Sequence, residues 1–226
     1  MSVTMPTQRQ LKDILTAYSS RKEELDLFRQ QIVAFFERSI ALHSPPLPLV
    51  HSVKSRLKNE DRLVDKVKRK WKKKKITASN LFRAVNDLAG VRVLHLYTEQ
   101  FADIHTAIMG HIAKGFWILA EKPIAYSWDP ETTQFFKSLE LKALTRGNYY
   151  TSIHYVVKPH SKTDLTCEIQ VRTLFEEVWG EIDHALNYPI ETQIVACREQ
   201  LRVLAKLAST GTRLADAIFK VSKSAN

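Results

Sequence analysis

With 226 residues the chain can bury a sizeable core, so it needs neither a disulfide frame nor a structural metal to hold a fold. Its two cysteines, Cys167 and Cys197, lack metal-ligand spacing, no apolar run approaches the ~20 residues of a membrane span, and no apolar leader opens the sequence, which predicts a reduced, cytoplasmic, non-membrane protein. Residues 54–75 supply nearly all of the formal net charge of +10, with twelve Lys and Arg against three acids, and such a block predicts a polyanionic partner, either nucleotide phosphates or a nucleic-acid backbone.

In chain order, residues 8–43 carry apolar side chains at helical spacing (Leu11, Ile14, Tyr18, then Leu25, Phe28, Ile32, Phe36) and predict one long amphipathic helix or two abutting ones. The proline-rich stretch 44–48 stops it, because proline lacks the amide a helix needs. A short extended piece over 49–57 follows, and Asn59 is placed to cap a basic helix whose first turn holds Glu60 and Asp61. For the lysine run 72–75, a solvated helix face explains the charge as well as a bound polyanion does. Residues 77–85 read as a short helix, 91–97 (VRVLHLY) as a β-rich strand, 99–114 as a helix, and 117–119 as the opening of another extended segment.

The stretch 132–144 reads as a loop with a helical turn. Residues 149–158 and 165–173 are strands separated by six residues, short enough for an antiparallel hairpin. Phe175, Val178, Trp179, Ile182, Ala185 and Leu186 form a helical stripe expected to cover the sheet, with Pro189 ending that helix. Residues 191–222 predict a second long helix, burying Leu201, Leu204, Ala208, Ala215, Ile218 and Phe219. The sum is an α+β fold with a mixed sheet covered by helices. It divides into an N-terminal helical segment (1–44), a central unit (49–190) and a C-terminal helical extension (191–226).

The strand at 165–173, LTCEIQVRT, alternates strictly. Leu165, Cys167, Ile169 and Val171 take one face; Glu168, Gln170 and Arg172 stand two residues apart on the other. Alone, that pattern fits any solvent-facing strand. Two acids nevertheless lie at distinctive places: Asp87 just before a strand in the DLAGVR turn, and Glu168 on the polar strand face. Two carboxylates from separate elements can share a Mg²⁺ whose shell phosphates complete, or they can be surplus surface acids. Cations surround them in the sequence: Arg56, Lys58, Lys66, Arg92, Arg146 and Arg172, of types that bind phosphate and stack on bases. Tyr150 follows an Arg-Gly-Asn turn, where its ring can stack on a purine, and His154 shares a strand face with Ser152.

Five ordered segments, SRLKNEDRLVDKVKRK, NDLAGVRVLHLY, YYTSIHY, EIQVRT and WGEIDHALNY, give residues 50–190 a likeness: this stretch resembles the synthetase domain of the RelA/SpoT family. The resemblance implies a nucleotidyltransferase-like fold. It also implies a pyrophosphokinase that moves the β,γ-pyrophosphate of ATP onto the 3′-hydroxyl of GDP or GTP to make (p)ppGpp alarmones. By position it implies Asp87 and Glu168 as the Mg²⁺-associated carboxylates, with Glu168 assisting deprotonation of the hydroxyl. Arg56 and Arg92 would sandwich adenine, and Lys58, Lys66 and Arg146 would hold the ATP phosphates. Tyr150 would stack on the acceptor base, with His154, Gln170 and Arg172 around the acceptor phosphates or Glu168.

Two positions depart from the family pattern. Tyr149 stands where a glycine usually precedes the stacking tyrosine. Glu177 stands where small members often place an asparagine that reads guanine; a carboxylate there can accept from the same edge of guanine or mark a different acceptor. The sequence has no His-Asp doublet of the family's hydrolase domain, which predicts a synthetase-only protein. The departures keep two other readings open. One is a toxic relative that pyrophosphorylates the 3′-terminal adenosine of tRNA, engaging it through the basic segment 66–75 (from Lys66 to Lys75), or that makes adenosine alarmones. The other is an inactive module binding nucleotide or RNA. The long terminal helices would serve a homo-oligomer or an antitoxin.

Overall fold

The computed structural model describes residues 5–45, 47–188 and 190–224. Pro46 and Pro189, two of the expected helix breakers, lie outside them.

The predicted N-terminal helix is two: α1 (Gln8–Ser20) and α2 (Lys22–Arg38), parted at Arg21, whose backbone leaves the helical region. Thr7 and Gln10 close a reciprocal capping box on α1. After β1 (Ser52–Leu57), Asn59 caps the basic helix α3 (Glu60–Lys70) through the Asp61 amide, as its sequence position predicts. A short helix α4 (Leu81–Ala84) leads into β2 (Ala89–His95), followed by α5 (Gln100–Ala113) and β3 (Ile118–Tyr126).

The stretch 132–144 is more ordered than its composition suggests. It holds α6 (Pro130–Ser138) and a short strand β4 (Lys142–Leu144). The signal lies just upstream: Asp129 accepts from the Thr132 amide as N-cap, and Pro130 occupies the first helical turn, where its missing amide costs nothing. Strands β5 (Ser152–Lys158) and β6 (Cys167–Thr173) form the expected antiparallel hairpin, and α7 (Leu174–Asn187) and α8 (Val195–Ser224) complete the chain.

The six strands run β1-β2-β6-β5-β3-β4, with β2/β6 and β3/β4 parallel and the other pairs antiparallel. One sheet face is apolar. Val91 and Val93, Cys167, Ile169 and Val171, and Ile153 and Tyr155 from β5 bury there against α1, α2 and α5. Tyr18, Ile32, Phe36 and Phe101 share that core and are fully buried, so the N-terminal helices are part of the same packed body as the sheet. Each such side chain contributes roughly 1.5–3 kcal/mol of burial.

The stripe on α7 does not cover the sheet. Trp179 is buried, but Phe175, Val178, Ile182 and Leu186 are exposed. The helix instead turns Glu177 and Gly180 inward and leans Trp179 on α8, donating its indole N–H to the Leu201 carbonyl at 3.0 Å. On α8, Leu201 and Ala208 are buried as predicted, while Ile218 is exposed.

Candidate active site

The cleft stands on the other sheet face. Register sets Arg56 of β1 opposite Gly90 of β2, and Gly90 opposite Glu168 of β6. A second row crosses Lys54, Arg92, Gln170 and His154 on β1, β2, β6 and β5. Side chains two apart on a strand share a face, so both rows look into the same space. Glycine at position 90 leaves a gap between Arg56 and Glu168.

Asp87 enters this space from the turn before β2. Both its oxygens are taken: Lys58 Nζ lies 2.8 Å from Oδ2 and Lys66 Nζ 2.5 Å from Oδ1. Burial alone would push the carboxyl up, but the two ammonium groups outweigh it and hold the pKa at about 2. Lys58 is itself pulled down by burial, against the pull of Asp87. Its backbone carbonyl accepts from the Tyr18 hydroxyl at 2.7 Å, so α1 braces the segment that carries it.

Glu168 is held from both sides. His154 Nδ1 lies 3.1 Å from Oε1, and Gln170 Nε2 donates to Oε2 at 2.7 Å. Burial pushes the carboxyl up, yet these bonds, His154 foremost, bring it below the ordinary glutamate value. An ionised carboxylate only accepts, so Nδ1 carries the proton and donates. Nε2 of the same ring lies 2.8 Å from the Tyr150 hydroxyl. The order Tyr150, His154, Glu168 is therefore one hydrogen-bonded line along the cleft floor.

Arg146 reaches in from the loop before β5. Its guanidinium carbon lies 3.7 Å from the centroid of Tyr126 and 4.9 Å from that of Tyr150, held against both rings.

Two cavities open on this floor. One of about 200 Å³ lies beside Lys54, Ser55 and Arg56. The other, of about 430 Å³, lies beside Lys66, Arg146, Tyr150, His154 and Arg172. Asp87, Arg92, Glu168 and Gln170 line both. Ten of the residues singled out from sequence thus meet in one two-chambered cleft, and Lys58 reaches it through Asp87.

Glu177 does not line either chamber. Its side chain is 5% exposed and is pressed from α7 against the polar sheet face, paired with Lys54 at 3.0 Å, Arg92 at 3.1 Å and Arg172 at 2.9 Å. Burial pushes this carboxyl up, but Arg172 and the other cations bring it down overall.

No group of three or more His, Cys, Asp or Glu among the described residues is arranged to hold a metal. The donor set is two ionised carboxylates facing one cleft. That fits a hard cation such as Mg²⁺ that would share Asp87 with Lys58 and Lys66 and Glu168 with His154 and Gln170, drawing most of its ligands from phosphates and water, and does not fit a metal needing a full protein shell.

Three contributions escaped the sequence reading. Tyr126 lies beneath Arg146, and Tyr18 braces Lys58. Across the cleft rim, Arg62 NH1 lies 3.0 Å from His184 Nε2, and its guanidinium stacks 4.7 Å over Tyr188. Tyr18 sits in an apolar stripe like any core residue; a phenol in such a stripe needs a partner for its hydroxyl, and that was the available signal.

A profile of the region found in RelA / SpoT proteins matches residues 55–193. The chain belongs to the RelA/SpoT family. Among its relatives is the GTP pyrophosphokinase YwaC of Bacillus subtilis (strain 168), 21% identical over 195 residues that cover 81% of this chain and 82% of that one. The fold matches the crystal structure of the small alarmone synthetase 1 from Bacillus subtilis with a TM-score of 0.68, at 17% identity, covering 92% of this chain and 98% of the other. The same synthetase bound to its product pppGpp matches with a TM-score of 0.62, at 20% identity, covering 94% and 98%. Bound to AMPCPP, it matches with a TM-score of 0.60, at 20% identity, covering 96% and 100%. No helix among the described residues is long and apolar enough to cross a membrane.

Proposed function

We propose that this chain is a pyrophosphokinase that transfers the β,γ-pyrophosphate of ATP to the 3′-hydroxyl of GDP or GTP. The observation that carries the reading is the two-chambered cleft, with Glu168 and Asp87 in the wall that both chambers share. A transfer between two nucleotides needs two adjoining sites and a base at their junction. The relative named as a GTP pyrophosphokinase, and the structural neighbour described with AMPCPP and with pppGpp, support the same substrates.

In this scheme the smaller chamber takes the donor, with Arg56 and Arg92 on either side of the adenine. The donor's triphosphate passes the shared wall toward the larger chamber, where Lys66 and Arg146, with Lys58 behind Asp87, hold it. The larger chamber takes the acceptor, whose base stacks on Tyr150 while Arg172 and Gln170 face its phosphates. Glu168, oriented by His154, accepts the proton of the 3′-hydroxyl as its oxygen bonds to the β-phosphorus. The bond from that phosphorus to the α,β-bridging oxygen breaks, and AMP leaves. Asp87 and Glu168 would hold Mg²⁺, which when bound supplies positive charge for the phosphates. The lysines fixed on Asp87 add theirs, in a loose transition state governed by position and charge.

The test is transfer from γ-labelled ATP, with Mg²⁺, to GDP, GTP, ATP and deacylated tRNA offered in turn. Label on GDP or GTP is the expected result. Label on tRNA alone would replace this reading with the tRNA-modifying one, and no transfer to any acceptor would leave a binding module. Replacing the four exposed lysines 72–75 with serine separates the acceptors further: use of GDP stays near wild type, and any use of tRNA weakens and loses salt dependence.

A further inference from the structure

Arg172 faces the larger chamber, yet it is among the most buried cations of the fold, with its side chain 4% exposed. A buried guanidinium needs its charge met inside the protein. The Glu177 carboxylate meets it: Oε2 lies 2.9 Å from Arg172 Nε. The contact is an ion pair without hydrogen-bond geometry, and both atoms are otherwise unpartnered. A Cβ at Gly180 would stand 2.7 Å from Arg172 NH1, so the guanidinium lies against α7 at this glycine and a side chain there would displace it.

The other oxygen of the same carboxylate, Oε1, faces the donor side. It accepts from Arg92 NH1 at 3.1 Å and from Lys54 Nζ at 3.0 Å. Arg92 also reaches Glu181, one helical turn further along α7. One buried carboxylate therefore ties an arginine of the acceptor chamber to an arginine of the wall both chambers share.

We propose that Glu177 is a positioning residue and not a reader of the acceptor base. Through its two oxygens it sets Arg172 and Arg92 as one unit, so that the cations serving donor and acceptor are aligned together, with Gly180 as the seat of the Arg172 guanidinium. This rests on the two-nucleotide reading above. It assigns specificity for the acceptor base to groups other than the residue at position 177.

The experiment measures KM and kcat for wild type, Glu177→Gln, Glu177→Asp and Gly180→Ala, with ATP as donor and GDP or IDP as acceptor. IDP lacks the exocyclic amine of guanine but keeps the rest of the nucleotide. For Glu177→Gln the expected result is a rise of roughly tenfold or more in KM for both ATP and GDP, the scale of losing one partner of a buried charge pair. The preference for GDP over IDP stays unchanged, and Glu177→Asp recovers part of the loss. Gly180→Ala, which moves the Arg172 guanidinium without touching charge, raises the acceptor KM and leaves the ATP KM within about threefold. A change of tenfold or more in the GDP-to-IDP preference on Glu177→Gln would make position 177 a base reader and overturn the proposal. So would a rise confined to one substrate. If Glu177→Gln does not fold, Gly180→Ala decides alone: an unchanged acceptor KM would overturn the seat assigned to Arg172. Failure of the pyrophosphokinase reading is distinguishable, because wild type would then transfer nothing to either acceptor.

Discussion

His154 Nδ1 lies 3.1 Å from Oε1 of Glu168, and the ring that makes this contact is fixed at its far nitrogen by the Tyr150 hydroxyl. A base must be ionised and aimed, and the single imidazole does both for Glu168. The carboxylate stays below its ordinary pKa although burial works against it. Glu168→Gln keeps the shape and removes the proton acceptor. The expected outcome is a fall in kcat of roughly 100-fold or more, with the dissociation constant for ATP changed by less than about threefold. Single-turnover transfer beside equilibrium ATP binding checks it; wild-type turnover would remove Glu168 from the chemistry.

Tyr150 has two separable parts, a ring and a hydroxyl. Its ring lies against Arg146 and within 5.9 Å of the Arg172 guanidinium carbon, while its hydroxyl holds His154. Tyr150→Ala should raise the KM for the acceptor more than that for ATP, since stacking on a base is worth about 1–3 kcal/mol. Tyr150→Phe keeps the ring and loses only the bond to His154, so its effect should fall on kcat. Steady-state kinetics with each substrate varied separates the two. Equal KM effects from Phe and Ala would show that the ring does not stack.

Tyr149, where the family usually has glycine, adopts φ of +57°, the left-handed region that glycine tolerates and a tyrosine does not favour. Strain of that kind costs about 1–3 kcal/mol. What offsets it is packing: the ring meets Trp128 edge-on at 5.1 Å and lies on the cluster of Trp179, Ala205 and Ala208. Aromatic burial of this sort contributes about 2–4 kcal/mol. Tyr149→Gly should therefore lower stability by about 1–2 kcal/mol, despite restoring the family residue, and loosen Tyr150 next to it, raising the acceptor KM. Urea unfolding gives the sign directly, and a more stable variant would mean that strain outweighs packing.

The strand alternation over residues 165–173 was enough to place Glu168, Gln170 and Arg172 on one face, because period two is a strong local signal. The amphipathic stripe of the N-terminal helices was equally legible as core. What was not legible was direction. An apolar stripe on α7 says that something covers it, and α8 together with solvent, not the sheet, turned out to lie there. Glu177 stands at a position where a reader of bases was expected, and its sequence neighbourhood carries no trace of Lys54, Arg92 and Arg172. Those three come from three different strands, and only the β1-β2-β6 order brings them under one carboxylate. The same holds for Arg62 and His184, which are 122 residues apart and meet across the cleft.

Glu176 offers a test of the fold that is independent of catalysis. It stands at the third position of α7 and closes the capping box, accepting from the Thr173 amide at 2.7 Å. Burial pushes its pKa up to about 7; the bonds to Thr173 and the nearby Arg172 oppose this without cancelling it, and Asp216 adds to the rise. The folded state therefore binds this proton more tightly than the unfolded chain, whose glutamate titrates near its ordinary value. The stabilising contribution is complete below about pH 4.5, falls as pH rises toward 7, and is absent above that. Because the side chain keeps some contact with solvent, the swing should be about 1–3 kcal/mol, less than the full shift would give. Glu176→Gln preserves the cap, since an amide oxygen can accept from Thr173, and removes the titration. Thermal melts should show the variant matching wild type near pH 4.5 and exceeding it at pH 8 by roughly 2–12 °C, given about 2–4 °C per kcal/mol for a chain of this size. Two curves that run parallel across that range would mean that Glu176 ionises normally, and that the small cavity it lines with Thr212 and Trp179 is filled with water.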